Sequence, residues 1–154
     1  MPRPHEDEPR IIPLRAATTT VAELVAASLA AANPPDGVRI TCDVDSGLLL
    51  GAEVEPLRLA LGAVIADAAA AALQPDPASD APDLREVLIT AVDAGAGVEI
   101  EVADSGPGRQ PSGLAGLRAA VERLGGTAAC TNCPEGGTAV TLRLPHRRSR
   151  GMAA

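Results

Sequence analysis

No Phe, Trp or Tyr occurs in the 154 residues of this chain, and nothing else in the sequence restricts its fold as much. Aromatic side chains usually supply the largest pieces of a core. Here the interior has to be made of Leu, Val and Ile packed against small residues, and 31 Ala among the 46% hydrophobic residues provide them. Such a core is thin but adequate for one compact domain of ordinary size, and the length leaves no room for a second large one.

Charge narrows the function classes. The net charge is −7 and all 13 basic residues are Arg. With neither a basic stripe nor an aromatic ring to stack a base on, nucleic acid is excluded as the expected partner. The apolar run around Ala60–Leu73 is interrupted at Asp67 and falls short of the roughly 20 residues that a membrane span needs. Met1–Pro13 is acidic and proline-rich, unlike a secretory signal, so the expected location is cytoplasmic. Residues 1–13 and the basic stretch 146–154 read as disordered tails around a folded domain over residues 14–145.

Hydrophobic periodicity and caps place the elements. Thr20 followed by Glu23 has capping-box spacing and opens a helix over Val21–Ala32, which Asn33-Pro34-Pro35 stops. Val38–Val44 alternates as a half-buried strand. Glu55–Leu73 has Leu57, Leu61, Val64, Ile65, Ala68 and Ala72 at helical spacing, with Pro75 beyond. Strands over Glu86–Val92 and Gly97–Ala103, a helix over Leu114–Leu124 and a hairpin within Thr127–Leu144 complete the pattern, and Gln74–Asp83 reads as an internal loop. The order implies an α/β (α+β) two-layer sandwich, a mixed, largely antiparallel sheet with helices on one face.

Chemistry concentrates in Asp104-Ser105-Gly106-Pro107-Gly108, directly after a strand, and in Gly113-Leu114-Ala115-Gly116-Leu117 at a helix start. Glycines let backbone N–H groups approach an anion, and the helix N-terminus favours negative charge, so the pair of loops forms a candidate phosphate cradle. A carboxylate at the strand end is able to accept a hydrogen bond from an exocyclic amino group such as that of adenine, which makes Asp104 the candidate base reader. Taken alone, the Asp-Gly loop reads equally well as a tight turn.

The motifs do not stand alone. Glu55–Ala68 resembles the N-box helix, Val102–Gly108 the G1 box and Gly113–Leu117 the G2 box of the histidine-kinase-like (GHKL) ATPases. Leu124–Thr127 and Gly136–Pro145 resemble the closing hairpin of sensor histidine kinases. The resemblance spans about Val38–Pro145 and implies a Bergerat ATP-binding fold with ATP and Mg²⁺ as ligands. By the same resemblance Asp104 bonds the adenine amino group, Gly106 and Gly108 form the nucleotide-side turn, Gly113 and Gly116 present donors to the phosphates, Thr138 helps hold the base, and Asp67 holds Mg²⁺.

The N-box departs from the family pattern at three positions. Ala63 stands where Glu or Asn is usual, Asp67 where the Mg²⁺-binding Asn is usual, and Ala70 where a basic residue is usual. Ala63 has no proton acceptor, which argues against ATPase cycling of the topoisomerase or chaperone kind. Only Arg109-Gln110-Pro111-Ser112 remain of the lid. Arg109 reads as a solvated loop arginine or as a substitute phosphate cation, and Asp67 as a metal ligand or a solvent-facing carboxylate.

The resemblance implies an ATP-binding domain like the catalytic domain of a sensor histidine kinase in two-component signalling, of reduced or lost kinase activity. A partner protein would carry the phosphoacceptor or regulatory domain, since His5-Glu6-Asp7 is flanked by prolines and reads as no phosphoacceptor. Two alternatives remain: a non-catalytic interaction module on the same fold, and a stand-alone anti-sigma-factor-type serine kinase. Cys130-x-x-Cys133, with Cys42 as a third thiol, has a metal or redox reading, against the blander one of small residues at a hairpin tip.

Overall fold

The computed structural model describes residues 18–51, 54–75, 77 and 83–146. The expected 1–13 tail, residues 147–154 and much of the 74–83 loop lie outside the described residues. The elements run β1 (Thr19–Thr20), α1 (Val21–Ala32), β2 (Arg39–Val44), β3 (Leu49–Leu50), α2 (Glu55–Ala72), β4 (Glu86–Asp93), β5 (Gly97–Asp104), α3 (Leu114–Arg123), β6 (Thr127–Asn132) and β7 (Thr138–Pro145).

The main sheet has the order β2-β4-β5-β7-β6. β2 runs parallel to β4 and every other pair is antiparallel, the mixed, largely antiparallel sheet that the element order implied. Period-two alternation assigns its faces. Val87, Ile89 and Ala91 of β4, Val98, Ile100 and Val102 of β5, and Val140, Leu142 and Leu144 of β7 are all buried under the helices. The intervening residues face the open side, where Leu88 and Val92 remain 42% and 43% exposed. That is a two-layer sandwich in which no helix among the described residues covers the other sheet face.

α2 is the keel of the helical layer. Its six predicted stripe residues, Leu57 to Ala72, are all buried, and it packs on β4, β5 and both other helices. Buried Ala68, Ala69 and Ala72 let it pack closely against its neighbours, so small residues fill what aromatic rings fill in other domains. Each large aliphatic side chain buried this way contributes about 1.5–3 kcal/mol. α1 begins with the expected capping box: Glu23 N–H donates to Thr20 Oγ1 at 3.1 Å and Thr20 N–H to Glu23 Oε2 at 2.9 Å. It ends at Asn33, whose φ of 44° is left-handed. Where α1 crosses α2, the Ser28 hydroxyl is buried without a hydrogen-bond partner among the described residues.

The small ribbon of β1 and β3 was not expected from the sequence. Two residues on each side are too few to show alternation, and the pairing Thr19 to Leu50 becomes visible only in three dimensions. His146, expected in the tail, has Nε2 3.2 Å from Asp93 Oδ1 at the turn before β5.

Candidate nucleotide site

Antiparallel register places Asp104, the last residue of β5, opposite Thr138, the first of β7. Asp104 shares the helix-facing side with Val98, Ile100 and Val102, so its carboxylate turns toward α2 rather than to the open face. It receives the Gly106 N–H on Oδ1 at 2.8 Å. Burial pushes its carboxyl above the ordinary aspartate range, opposed by hydrogen bonds from the backbone of Gly106 and Thr138.

The following turn is tied down from two directions. Ser105 N–H donates to the Glu86 carbonyl at 3.1 Å, while its hydroxyl accepts the Glu86 N–H at 2.9 Å and donates to the Leu84 carbonyl at 2.5 Å. Gly106 then passes against α2 so closely that a Cβ there would lie 2.5 Å from the Ala71 carbonyl oxygen. Gly137, with φ +88°, rests on the Asp104 carbonyl from the other side. No other residue type fits at either position.

Between Asp104 and the α3 N-terminus lies a cleft of about 220 Å³. Val64, Asp67, Ala68, Ala70 and Ala71 of α2, with Gln74 just beyond it, form one wall, Val102 and Val140 the floor, and Arg109–Ser112 the outer rim. An apolar slot with one desolvated acceptor at its end suits a flat heteroaromatic ring bearing an amino group. A second recess of about 260 Å³, lined by Gly108, Gln110, Arg118, Cys130 and Asn132, opens across the same loop.

The loop is fastened at both ends. Thr138 Oγ1 donates to the Arg109 carbonyl at 3.2 Å. At the other end Asp67 Oδ2 accepts the Gly113 N–H at 2.9 Å, and the Ser112 hydroxyl reaches Oδ2 and Oδ1 at 3.0 and 3.2 Å. Gly113 is the N-cap of α3 and has no capping side chain. The capping carboxylate therefore comes from α2, across the helix layer.

Solved structures share this architecture. The ATP binding domain of PrrB from Mycobacterium tuberculosis is 26% identical and matches with a TM-score of 0.66 over 85% of this chain and 97% of its own. The catalytic domain of histidine kinase ThkA is 17% identical, with a TM-score of 0.65 over 86% of this chain and 98% of its own. Histidine kinase AdeS of Acinetobacter baumannii is 18% identical, with a TM-score of 0.62 over 87% and 70%. This chain has the histidine-kinase-like ATPase fold. No family model and no curated protein matches the sequence. No helix among the described residues is long and apolar enough to cross a membrane.

Within this histidine-kinase-like domain the expected site residues fall into two groups. Asp67 and Asp104 both line the cleft, with Gly106, Gly108 and Gly113 in the adjoining turns. Gly108 has φ +80°, a left-handed turn that favours glycine. Gly116 stands apart: it lies exposed in the first turn of α3, and a Cβ there would meet nothing within 4 Å. The Thr138 side chain is buried and hydrogen-bonded to the Arg109 carbonyl, so what it holds directly is the loop.

Ser105 and Ser112 join the site without having been singled out by the sequence. A Ser directly before a helix start is a capping signal that points to Ser112. Nothing local points to Ser105, whose partners are 19 and 21 residues away. Of the two readings of the cysteines, the metal reading with Cys42 as a third thiol is the one the fold disfavours. Cys42 lies on β2 and Cys130 on β6, the two opposite edges of the sheet, separated by roughly 19 Å at ordinary strand spacing. Among the described residues there is no group of three His, Cys, Asp or Glu able to hold a metal. Burial, with the Asp104 charge behind it, pushes the Cys130 thiol up, away from the thiolate that redox chemistry needs.

Proposed function

We propose that the chain is an ATP-binding domain of the sensor-histidine-kinase kind, acting in two-component signalling with a partner protein that carries the phosphoacceptor or regulatory domain. The observation that carries this reading is the half-buried Asp104 carboxylate at the end of an apolar cleft walled by Ala68, Ala71, Val102 and Val140. Among the described residues it is paired only on the backbone side, and an adenine amino group supplies the missing donor on the cleft side. Likeness to PrrB's ATP binding domain and to the catalytic domain of ThkA supports the same assignment.

Phosphotransfer by this domain is weak. Ala63 and Ala70 are exposed on α2 and carry no proton acceptor or cation. Transfer of a phosphoryl group depends on positioning and on positive charge around the phosphates, and among the described residues Arg109 is the one cationic side chain lining the cleft. Mg²⁺ was expected on Asp67; that carboxylate accepts the Gly113 N–H and the Ser112 hydroxyl, so a metal there would share it with both. A non-catalytic interaction module is the second reading, favoured by the same fastened loop: a rim held by Thr138 and Asp67 serves a fixed binding surface better than a closing lid.

Calorimetric titration of ATP into the wild type and Asp104→Asn tests the proposal. Loss of the desolvated acceptor is expected to weaken binding by about tenfold or more. Equal affinity of the two proteins for ATP refutes the adenine assignment. Capture of a partner that is indifferent to Asp104→Asn and to nucleotide favours the second reading.

A further inference from the structure

Asp67 and Asp104 both line one cleft, and they differ in their partners: Asp104 is bonded to the backbone beside it, Asp67 to the rim and the start of α3. A nucleotide whose base is read by Asp104 runs along the Arg109–Ser112 rim toward the N-terminus of α3. That terminus is where phosphates bind in a site of this design, because the Gly113 N–H and the helix dipole favour an anion there. It already has one. Asp67 Oδ2 takes the Gly113 N–H at 2.9 Å, and the carboxylate also takes the Ser112 hydroxyl at 3.0 and 3.2 Å.

We propose that Asp67 is a built-in anion in the place of the phosphates, so that the cleft recognises the adenosine half of its ligand and gains nothing from a phosphate tail. The ligand class is then adenosine and the adenine nucleotides alike, ATP being held through its adenosine half and no tighter than adenosine itself. This rests on the reading of Asp104 as the adenine acceptor.

The charges around the cleft point the same way. Asp67 and Asp104 contribute two carboxylates and Arg109 a single guanidinium among the described residues. Arg118 belongs to the neighbouring recess, where its Nε donates to the Ala128 carbonyl at 3.4 Å. The chain has no Lys to add, and Ala63 and Ala70 offer no polar side-chain atom. Each further phosphate brings negative charge toward Asp67 in a partly desolvated slot, where like-charge repulsion is several times its value in water. It also competes for the Gly113 N–H and the Ser112 hydroxyl, which Asp67 gives up only by becoming an unpaired carboxylate. The shortened rim follows from the same arrangement: with no triphosphate to enclose, the four residues Arg109–Ser112 suffice to join Gly108 to Gly113.

The test is a calorimetric series of adenosine, AMP, ADP and ATP with the full chain, each in Mg²⁺-containing and in chelated buffer, on the wild type and Asp67→Asn. In the wild type, ATP is expected to bind no tighter than adenosine in either buffer. In Asp67→Asn, which keeps an oxygen acceptor for Gly113 but removes the charge, the affinity for ATP relative to adenosine is expected to rise by about tenfold or more. ATP binding about tenfold tighter than adenosine in the wild type, or Mg²⁺-dependent ATP binding that Asp67→Asn abolishes, overturns the proposal and leaves the adenine reading of Asp104 standing. Absence of binding by adenosine and by all three nucleotides overturns both. The wild-type series decides the question even if the variant does not fold.

Discussion

Two glycines of the G1 and G2 loops, Gly106 and Gly116, are expected to respond in opposite directions to the same substitution. A Cβ added at Gly106 would lie 2.5 Å from the Ala71 carbonyl oxygen, 2.7 Å from its carbon and 2.9 Å from the Ala71 Cβ. Two of these atoms belong to the α2 backbone, and the oxygen also accepts the Gln74 N–H at 2.9 Å, so none of them rotates away. Overpacking of this kind costs about 1–3 kcal/mol, and displacement of the Ala71 carbonyl adds about 0.5–1.5 kcal/mol for the strained hydrogen bond.

Gly106→Ala is therefore expected to destabilise the domain by about 2–4 kcal/mol and to lower Tm by roughly 5–10 °C at this size. Gly116 lies inside α3 with open space around it. Replacing it with Ala removes backbone freedom in the first helical turn and is expected to gain about 0.5–1 kcal/mol, or roughly 1–3 °C. Thermal melts followed by circular dichroism or scanning calorimetry measure both, since the chain lacks Trp and Tyr as fluorescence reporters. A neutral Gly106→Ala would refute the close approach of the G1 turn to α2. A Gly116→Ala variant that loses stability would show that α3 begins differently.

Acidification separates the folded and unfolded forms of Asp104. Burial raises its folded pKa above the unfolded value, so its contribution to stability is fully present below the unfolded value and is lost as pH rises through the folded one. Denaturant melts between the two values should show that decline in the wild type and not in Asp104→Asn. Because the ionised carboxylate is the adenine acceptor, adenosine affinity should fall on acidification with a midpoint above the ordinary aspartate range, and a midpoint within that range contradicts the desolvation of this group. Ser28→Ala deletes a buried hydroxyl that has no partner among the described residues and is expected to raise stability by about 1 kcal/mol, measured by urea melts; a loss of that size would mean the hydroxyl is bonded.

Much of the frame was legible because local rules set it. Thr20 and Glu23 mark the start of α1 through a capping box that spans only three residues, and the structure has both of its hydrogen bonds. The α2 stripe from Leu57 to Ala72 is legible because a 3.6-residue period survives over five turns. Asp104 is legible as well, since it closes a strand and precedes two glycines. The β1–β3 ribbon was not, because two-residue strands have no measurable period. The motif alone gives Gly116 the same role as Gly113, yet only Gly113 is crowded, with a Cβ there 3.2 Å from that of Ala63.

The sequence by itself determined the element order, the apolar faces and the place of Asp104 between a strand and a glycine turn, since periodicity, caps and glycine chemistry act over a few residues. The tertiary structure decided what lies within reach of what. Asp67 and Gly113 are 46 residues apart along the chain and hydrogen-bonded in space; Cys42 and Cys130 share a sheet but stand on its opposite edges. Whether a carboxylate serves a metal, solvent or a helix terminus depends on such long-range neighbours, and these exist only after the helices have packed on the sheet.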